Sequence, residues 1–309
     1  MKKLSFVVSL TNDENDYQQE QAAAAEKAAR RLGVDVKIIH ANNDSLKQSQ
    51  QLLEFIQNTT GPRPDAIVFE PAGGTGFPQV ARAAAAAGMG WVVLNHEVDY
   101  VQQLRRTYPV PVLSISSDHV EVGRIQGKQF AELLPEGGSV LYIEGPANSS
   151  AAKERTQGMN QTKPANIQVK SMRANWTEDS AYRTVISWLR LRTSHEMHLD
   201  LVGAQDDSMA MGARKAFAEL AVGDRERWLK MPFTGCDGMP KTGQAWVRSG
   251  ELAATIFIRP NTDLALEMLT ETILKGSALP QQHLTTPESV PALAELAPRA
   301  VKSKAAKQR

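Results

Sequence analysis

Cysteine is almost missing from this chain: of 309 residues, Cys236 is the only thiol, which excludes an intrachain disulfide and any cysteine-built zinc site. It lies between Gly235 and Asp237, where a small buried thiol is expected rather than a nucleophile. Excess charge is missing too. Lys and Arg number 35 against 34 Asp and Glu, a net +1 that gives no field favouring nucleic acid or an anionic membrane. No apolar run reaches the length of a membrane span. Strand-like residues begin at Leu4, which leaves no room for a signal peptide; the product is expected to stay in the cytoplasm or to have lost an export signal. The Gly-x-Ser-x-Gly elbow, the Walker loop and a cysteine–histidine pair are also lacking. The glycines of AGGTGF, after Pro71, have neither a Lys-Ser/Thr pair nor dinucleotide spacing. In SHEMH, His195 and His198 stand three apart, which is not zinc-protease spacing. No cofactor, metal site or catalytic residue is expected.

What is present is a repeated alternation of short apolar runs with helical patterns. Leu4 to Leu10 reads as a strand, followed by a polar loop and a helix with Ala25, Ala28 and Leu32 on one face and a stop at Gly33. Strand Val34 to His40 precedes a helix capped by Asp44 or Ser45, with Leu46, Leu53 and Ile56 as its apolar face. Asp65 to Glu70 is a third strand, Pro78 starts an alanine-rich helix ending at Gly88, and Trp91 to Leu94 delivers Asn95 and His96. After Val112 to Ser116 the alternation restarts. Asp118 caps a helix carrying Val122, Ile125, Phe130 and Leu133. Strand Ser139 to Ile143, a helix capped by Ser149 or Ser150, strand Ile167 to Arg173 and a helix with Val185, Trp188 and Leu191 follow. Leu252 to Ile258 is a further strand, and Gly276 ends a helix bearing Leu264, Met268 and Leu269. Ala278 to Pro298 reads as a meandering final strand and tail, and Lys302 to Arg309 as a solvated basic tail. This pattern predicts an α/β fold of doubly wound parallel sheets, and the restart predicts two similar lobes facing a cleft.

The stretches Leu199 to Ala213 and Phe233 to Pro240 concentrate acids at strand ends, where open α/β sheets bind ligands. Asp206, Asp207 and Asp237 are placed to meet a small molecule. The structural alternative is that Asp207 with Ser208 caps a helix and that Asp237 ends a turn before a helix starting at Pro240.

The segments SAAKERTQG (Ser150 to Gly158), AQDDSMAMGA (Ala204 to Ala213), TGCDG (Thr234 to Gly238) and GELAATI (Gly250 to Ile256) closely resemble the type I periplasmic sugar-binding proteins of bacterial transporters. The ligand-binding domains of lactose-repressor-type regulators share that fold. The resemblance runs from VVSLTND (Val7 to Asp13) to about residue 290, with its segments in the same order. It implies two Rossmann-like lobes, 1–116 with 259–284 and 117–258 with 285–298, and a basic disordered tail at 299–309. Three hinge strands join the lobes, crossing near Ser116 and Ser117, Ile258 and Arg259, and Leu284 to Pro287.

The ligand site that the resemblance implies comprises Asn12, Asp13, Tyr17, Glu70, Asn95, His96, Arg155, Trp176, Asp206, Asp237 and Arg259. Carboxylates and amides suit sugar hydroxyls, which donate and accept together. Arg155 can fork two bonds to vicinal oxygens, and Trp176 can stack on a ring's apolar face. Departures from the ribose-binding pattern argue against ribose. Glu14 and Asn15 replace a phenylalanine pair, Glu70 an asparagine, Asn95 and His96 an Asp-Arg pair, and Ile258 a glutamine. The excess of carboxylates points to an amino sugar, a polyol or a larger sugar. The implied function is carbohydrate binding with hinge closure, as the substrate-binding component of an ABC-type transporter; a stand-alone cytoplasmic sensor is the alternative, and a carbohydrate-processing enzyme a weaker one. The partner is a membrane permease or a signalling protein, the protein a monomer, and the compartment, by resemblance, the periplasm.

Overall fold

The structure, a computed structural model, describes residues 3–58, 60–74, 76–96, 98–195 and 197–296, apart from the side chains at 193, 195 and 222. The expected tail at 299–309 lies outside the described residues. Strands and helices alternate from the start. β1 (Ser5–Leu10), α1 (Asp16–Leu32), β2 (Asp35–His40), α2 (Ser45–Gln57), β3 (Ala66–Phe69), α3 (Pro78–Ala86), β4 (Gly90–Leu94), α4 (Val101–Thr107) and β5 (Val112–Ser117) come first. Next are α5 (His119–Leu133), β6 (Gly138–Glu144), α6 (Ser150–Thr162), β7 (Ile167–Arg173), α7 (Glu178–Leu189), α8 (Arg192–His195), β8 (Leu201–Ala204) and α9 (Asp207–Ala218). The chain ends with α10 (Val222–Leu229), β9 (Phe233–Thr234), α11 (Gly243–Ser249), β10 (Thr255–Phe257), α12 (Thr262–Lys275), β11 (Gln282–Thr285) and β12 (Glu288–Val290).

Contacts gather these elements into two units. The first holds Met1–Glu121, Gly145–Arg155 and Ile258–Pro287; the second holds Val122–Glu144, Thr156–Phe257 and Glu288–Arg309. The sheet of the first runs β11-β5-β4-β3-β1-β2, with every pairing parallel. The sheet of the second runs β7-β6-β8-β9, also parallel, beside an antiparallel ribbon of β10 with β12. The order β2-β1-β3-β4 is thus repeated as β7-β6-β8-β9. In each sheet the winding reverses next to its first strand, between β1 and β3 and between β6 and β8. Loops diverge at such a point and leave a crevice beyond the strand ends. The expected α/β class of Rossmann-like parallel sheets is therefore present in both units.

Burial follows from this layering. β3 and β4 are buried along their whole length, as strands covered by helices on both faces must be. Phe6, Val8, Leu10, Val68 and Leu94 pack with Ala25, Ala28, Leu266 and Leu269 on one face, and Phe69 and Trp91 pack with Leu52, Ile56 and Leu104 on the other. The second unit has its own core, in which Phe217 stacks on Trp228 at 4.9 Å between ring centroids. Helix boundaries follow local chemistry. Gly33 takes φ 69° past α1. Asp44 caps α2 by accepting from Leu46 and Lys47 N–H at 2.8 and 3.0 Å. Asp118 accepts from Glu121 N–H at 2.9 Å, and Ser149 accepts from Ala152 N–H at 3.3 Å.

Five local expectations are corrected. Leu46 is 68% exposed and Leu191 54% exposed, because the buried face of α2 is Gln48, Leu52 and Ile56, and α7 ends before Leu191. Asp206, not Asp207, caps α9. Pro240 lies in a turn ahead of α11 rather than inside it. The region from Ala278 on contains two strands, β11 joining the first sheet and β12 the ribbon.

Candidate ligand site

In the first unit, the polar groups beyond β1, β3 and β4 form one buried network. The Glu70 Oε2 accepts from Gln18 Nε2 at 3.0 Å and from Asn95 Nδ2 at 3.3 Å. Asn95 Nδ2 also donates to Tyr17 Oη at 3.0 Å, while its Oδ1 accepts from Asn261 Nδ2 at 3.0 Å. Tyr17 in turn donates to the Arg259 carbonyl at 3.3 Å and accepts from Gln21 Nε2 at 3.2 Å. Tyr17 is 7% exposed and ties α1 to the strand ends. Asn12 is likewise engaged locally, with Oδ1 accepting from the Glu14 and Asn15 N–H groups at 3.0 and 2.8 Å and Nδ2 donating to Asn43 at 3.0 Å. Asp13 is exposed. The Arg259 guanidinium pairs with Asp263 at 2.7 Å.

His96, His119 and Arg155 lie together in this unit. His96 Nδ1 lies 3.4 Å from the Leu94 carbonyl, and burial pushes the ring down to about 4. Arg155, 6% exposed, donates from Nε to His119 Nδ1 at 3.4 Å. Burial, then the neighbouring Arg155 and His96, hold His119 well below the ordinary histidine value, with the Asn95 carbonyl pulling weakly the other way. Both imidazoles are therefore neutral at pH 7.

In the second unit, three aspartates meet beyond β8 and β9. Asp206 is the N-cap of α9, its Oδ1 accepting from Met209 N–H at 2.9 Å. Asp237 follows Cys236, whose buried Sγ faces the Ala204 carbonyl at 3.7 Å. The carboxyls of Asp206 and Asp237 share a hydrogen bond. Burial first, then Asp237 and Asp207, push Asp206 well above the ordinary carboxylate value, so the pair keeps a proton. Asp207 has a different task. Its Oδ1 accepts from Thr255 Oγ1 and its Oδ2 from Gly238 N–H, each at 2.7 Å, which ties α9 to the TGCDG turn and β10. Trp176 is half-buried against the core just ahead of the α7 cap Thr177.

Asn95, Trp176 and Asp237 adopt φ of 55°, 60° and 97°. Left-handed backbone is uncommon for such residues and concentrates at functional sites. All three had been singled out from the sequence. Gln18, Gln21, His119 and Asn261 had not. Glutamines inside a helical repeat read as solvent-facing, and only the fold shows that Gln18 and Gln21 face the strand ends. Among the described residues, no three His, Cys, Asp or Glu side chains gather into a metal site. His198 pairs with Asp200 at 3.0 Å on an exposed edge.

Two units of repeated winding, each with buried polar side chains at its reversal point, define the class of α/β binding proteins. The profile described as periplasmic binding protein domain matches residues 6–274, and the chain belongs to that family. It is 30% identical over 190 residues to a putative rhizopine-binding protein of Rhizobium meliloti, a match that covers 60% of this chain and 57% of the relative. It is 26% identical over 281 residues to the ribose import binding protein of Escherichia coli (strain K12), covering 91% of this chain and 87% of the relative. Among solved structures, the periplasmic component of the arabinose ABC transporter from Shewanella sp. ANA-3 superposes with a TM-score of 0.78 at 22% identity, over 94% of this chain and 93% of that one. Members of this family act as binding proteins.

Proposed function

We propose that this protein binds a small carbohydrate or related polyol, as the monomeric substrate-binding component of an ABC-type sugar transporter. The strand-end groups hold the ligand. Closure occurs at crossings near Ser116 and Ser117, Ile258 and Arg259, and Leu284 to Pro287, with lobes 1–116 plus 259–284 and 117–258 plus 285–298. The observation that carries this reading is the make-up of the strand ends. Carboxyl, amide, imidazole and guanidinium groups gather in the first unit and carboxyls beyond the strand ends of the second, with Asn95 and Asp237 among them on left-handed backbone. Such a set matches hydroxyls that donate and accept at once, and it discriminates strongly because an unmatched buried polar group is costly.

The ligand favours the closed arrangement, and a membrane permease reads the closed surface. The named functions of the relatives support a periplasmic site of action. A signalling partner would read the same closed state.

Thermal unfolding of the purified protein against D-ribose, L-arabinose, D-allose, xylitol, myo-inositol, amino sugars and rhizopine tests this. A ligand present at 100 times its Kd adds about 2.7 kcal/mol of stability and raises Tm. Asp237→Ala should weaken a hit by about 10- to 100-fold in calorimetry, the range for a hydrogen bond to a charged group, and Trp176→Ala by about 2- to 10-fold, the range for one stacking contact. Failure of every sugar and polyol, with a shift from another metabolite class, overturns the carbohydrate reading.

A further inference from the structure

His119 opens α5 directly beyond β5, is 3% exposed, and has two unlike ring nitrogens. Nδ1 accepts from Arg155 Nε–H at 3.4 Å. A neutral imidazole carries one proton, so that acceptor role places the hydrogen on Nε2. Nε2 is buried and has no hydrogen-bond partner. A buried donor left unmade costs the full desolvation of that group, and orphans of this kind are rare without a functional reason. The charged and titratable groups around the ring are Arg155 and His96, and no carboxylate is among them. The ring therefore gives Arg155 a neutral acceptor, where an aspartate in this place would give a charged one.

We propose that His119 is a specificity-determining residue of the ligand site: Nδ1 orients the Arg155 guanidinium, and Nε2–H donates to an acceptor oxygen of the bound sugar. This rests on the carbohydrate-binding reading above.

The two nitrogens can be separated by substitution. In His119→Asn the amide oxygen stands near the Nδ1 position and keeps the acceptor for Arg155, while the Nε2 donor is lost. In His119→Gln the amide nitrogen reaches the Nε2 position. The probe is whichever of D-ribose, L-arabinose, D-allose, xylitol and myo-inositol raises the wild-type Tm most. The expected result is about tenfold weaker binding in His119→Asn, with the sugar-free Tm unchanged or higher, and partial recovery in His119→Gln. Nitrogen-15 spectra of wild-type protein should show an Nε2–H tautomer whose proton becomes protected when the sugar is added. An Nδ1–H tautomer, or binding by His119→Asn within twofold of wild type, overturns the proposal while leaving the carbohydrate reading intact. Because the tautomer is read on wild-type protein, a poorly folding variant does not stall the test. If no probe sugar binds wild type, the carbohydrate reading fails and this inference falls with it.

Discussion

At the scale of single residues, Asp206 and His96 give the protein opposed responses to pH. The value for Asp206 is raised in the folded state, so above 3.8 the folded chain holds a proton that the unfolded chain has lost. Its contribution is complete below 3.8 and is lost as pH rises through the folded value. His96 behaves in the reverse sense. It falls from 6.5 to about 4 on folding, so the unfolded chain binds the extra proton between these values. Stability therefore rises with pH across that window and is complete above it. Asp206→Asn keeps a good N-cap and removes the desolvated acid. It should raise Tm by a few degrees above pH 6.5, since ~1 kcal/mol moves Tm by roughly 2–4 °C in domains approaching this size. The gain should shrink towards pH 4. His96→Gln should flatten the acid limb. Scanning fluorimetry from pH 4 to 8 reads both slopes, and an Asp206→Asn difference that is constant with pH would remove the shared-proton account.

At the scale of elements, the α9 N-terminus shows what the sequence disclosed and what it concealed. The run AQDDSMAMGA announced a strand end followed by a helix, and acids at that boundary. It did not announce which acid caps the helix, because adjacent aspartates have equal capping propensity and only the register of the first turn separates them. That register turns the Asp207 carboxylate inward onto Thr255 and Gly238. Side chains at 235 or 243 would collide with it, which explains both glycines. Gly243→Ala should therefore cost about 1–3 kcal/mol, the usual range for overpacking a filled core, seen as a lower midpoint in urea. The rest of the fold was legible where periodicity was long, as in α1 and α5. It was obscure where elements were short. α4, α10 and α11 each span two turns or so, too little for an apolar stripe, and β11 and β12 are hidden among prolines. In α2 the sequence put Leu46 and Leu53 on the apolar face with Ile56, and docking on the sheet exposes Leu46 and buries Leu52 in their place.

At the scale of the whole molecule, the chain passes between its units after Glu121, Glu144, Arg155, Phe257 and Pro287, and the first unit ties the neighbourhoods of the first and the last two passages together. Ser117 Oγ meets Thr285 Oγ1 at 3.1 Å, Thr285 donates to Asn261 Oδ1 at 3.4 Å, and Asn261 Nδ2 donates to Asn95. Three buried side chains thus connect the crossings to the candidate site. Asn261→Ala strands the Asn95 oxygen and should cost about 1–3 kcal/mol in chemical denaturation, together with a weaker response to any ligand that wild type binds. Loss of stability with ligand affinity untouched would show the relay to be scaffold only. Asn95, Ser117 and the Leu284 to Pro287 stretch were named from the sequence but Asn261, which links them, was not, since a lone asparagine before a helix reads as an N-cap. In fact Asn261 makes no side-chain cap.

Cys236 lends the molecule a built-in clock. A solitary thiol that is fully enclosed and adjacent to Asp237 can react with a bulky disulfide reagent only when the β9 turn comes away from the second sheet. The rate of its modification therefore times the opening of one unit alone, with no engineered label and no second sulfhydryl to confuse the signal.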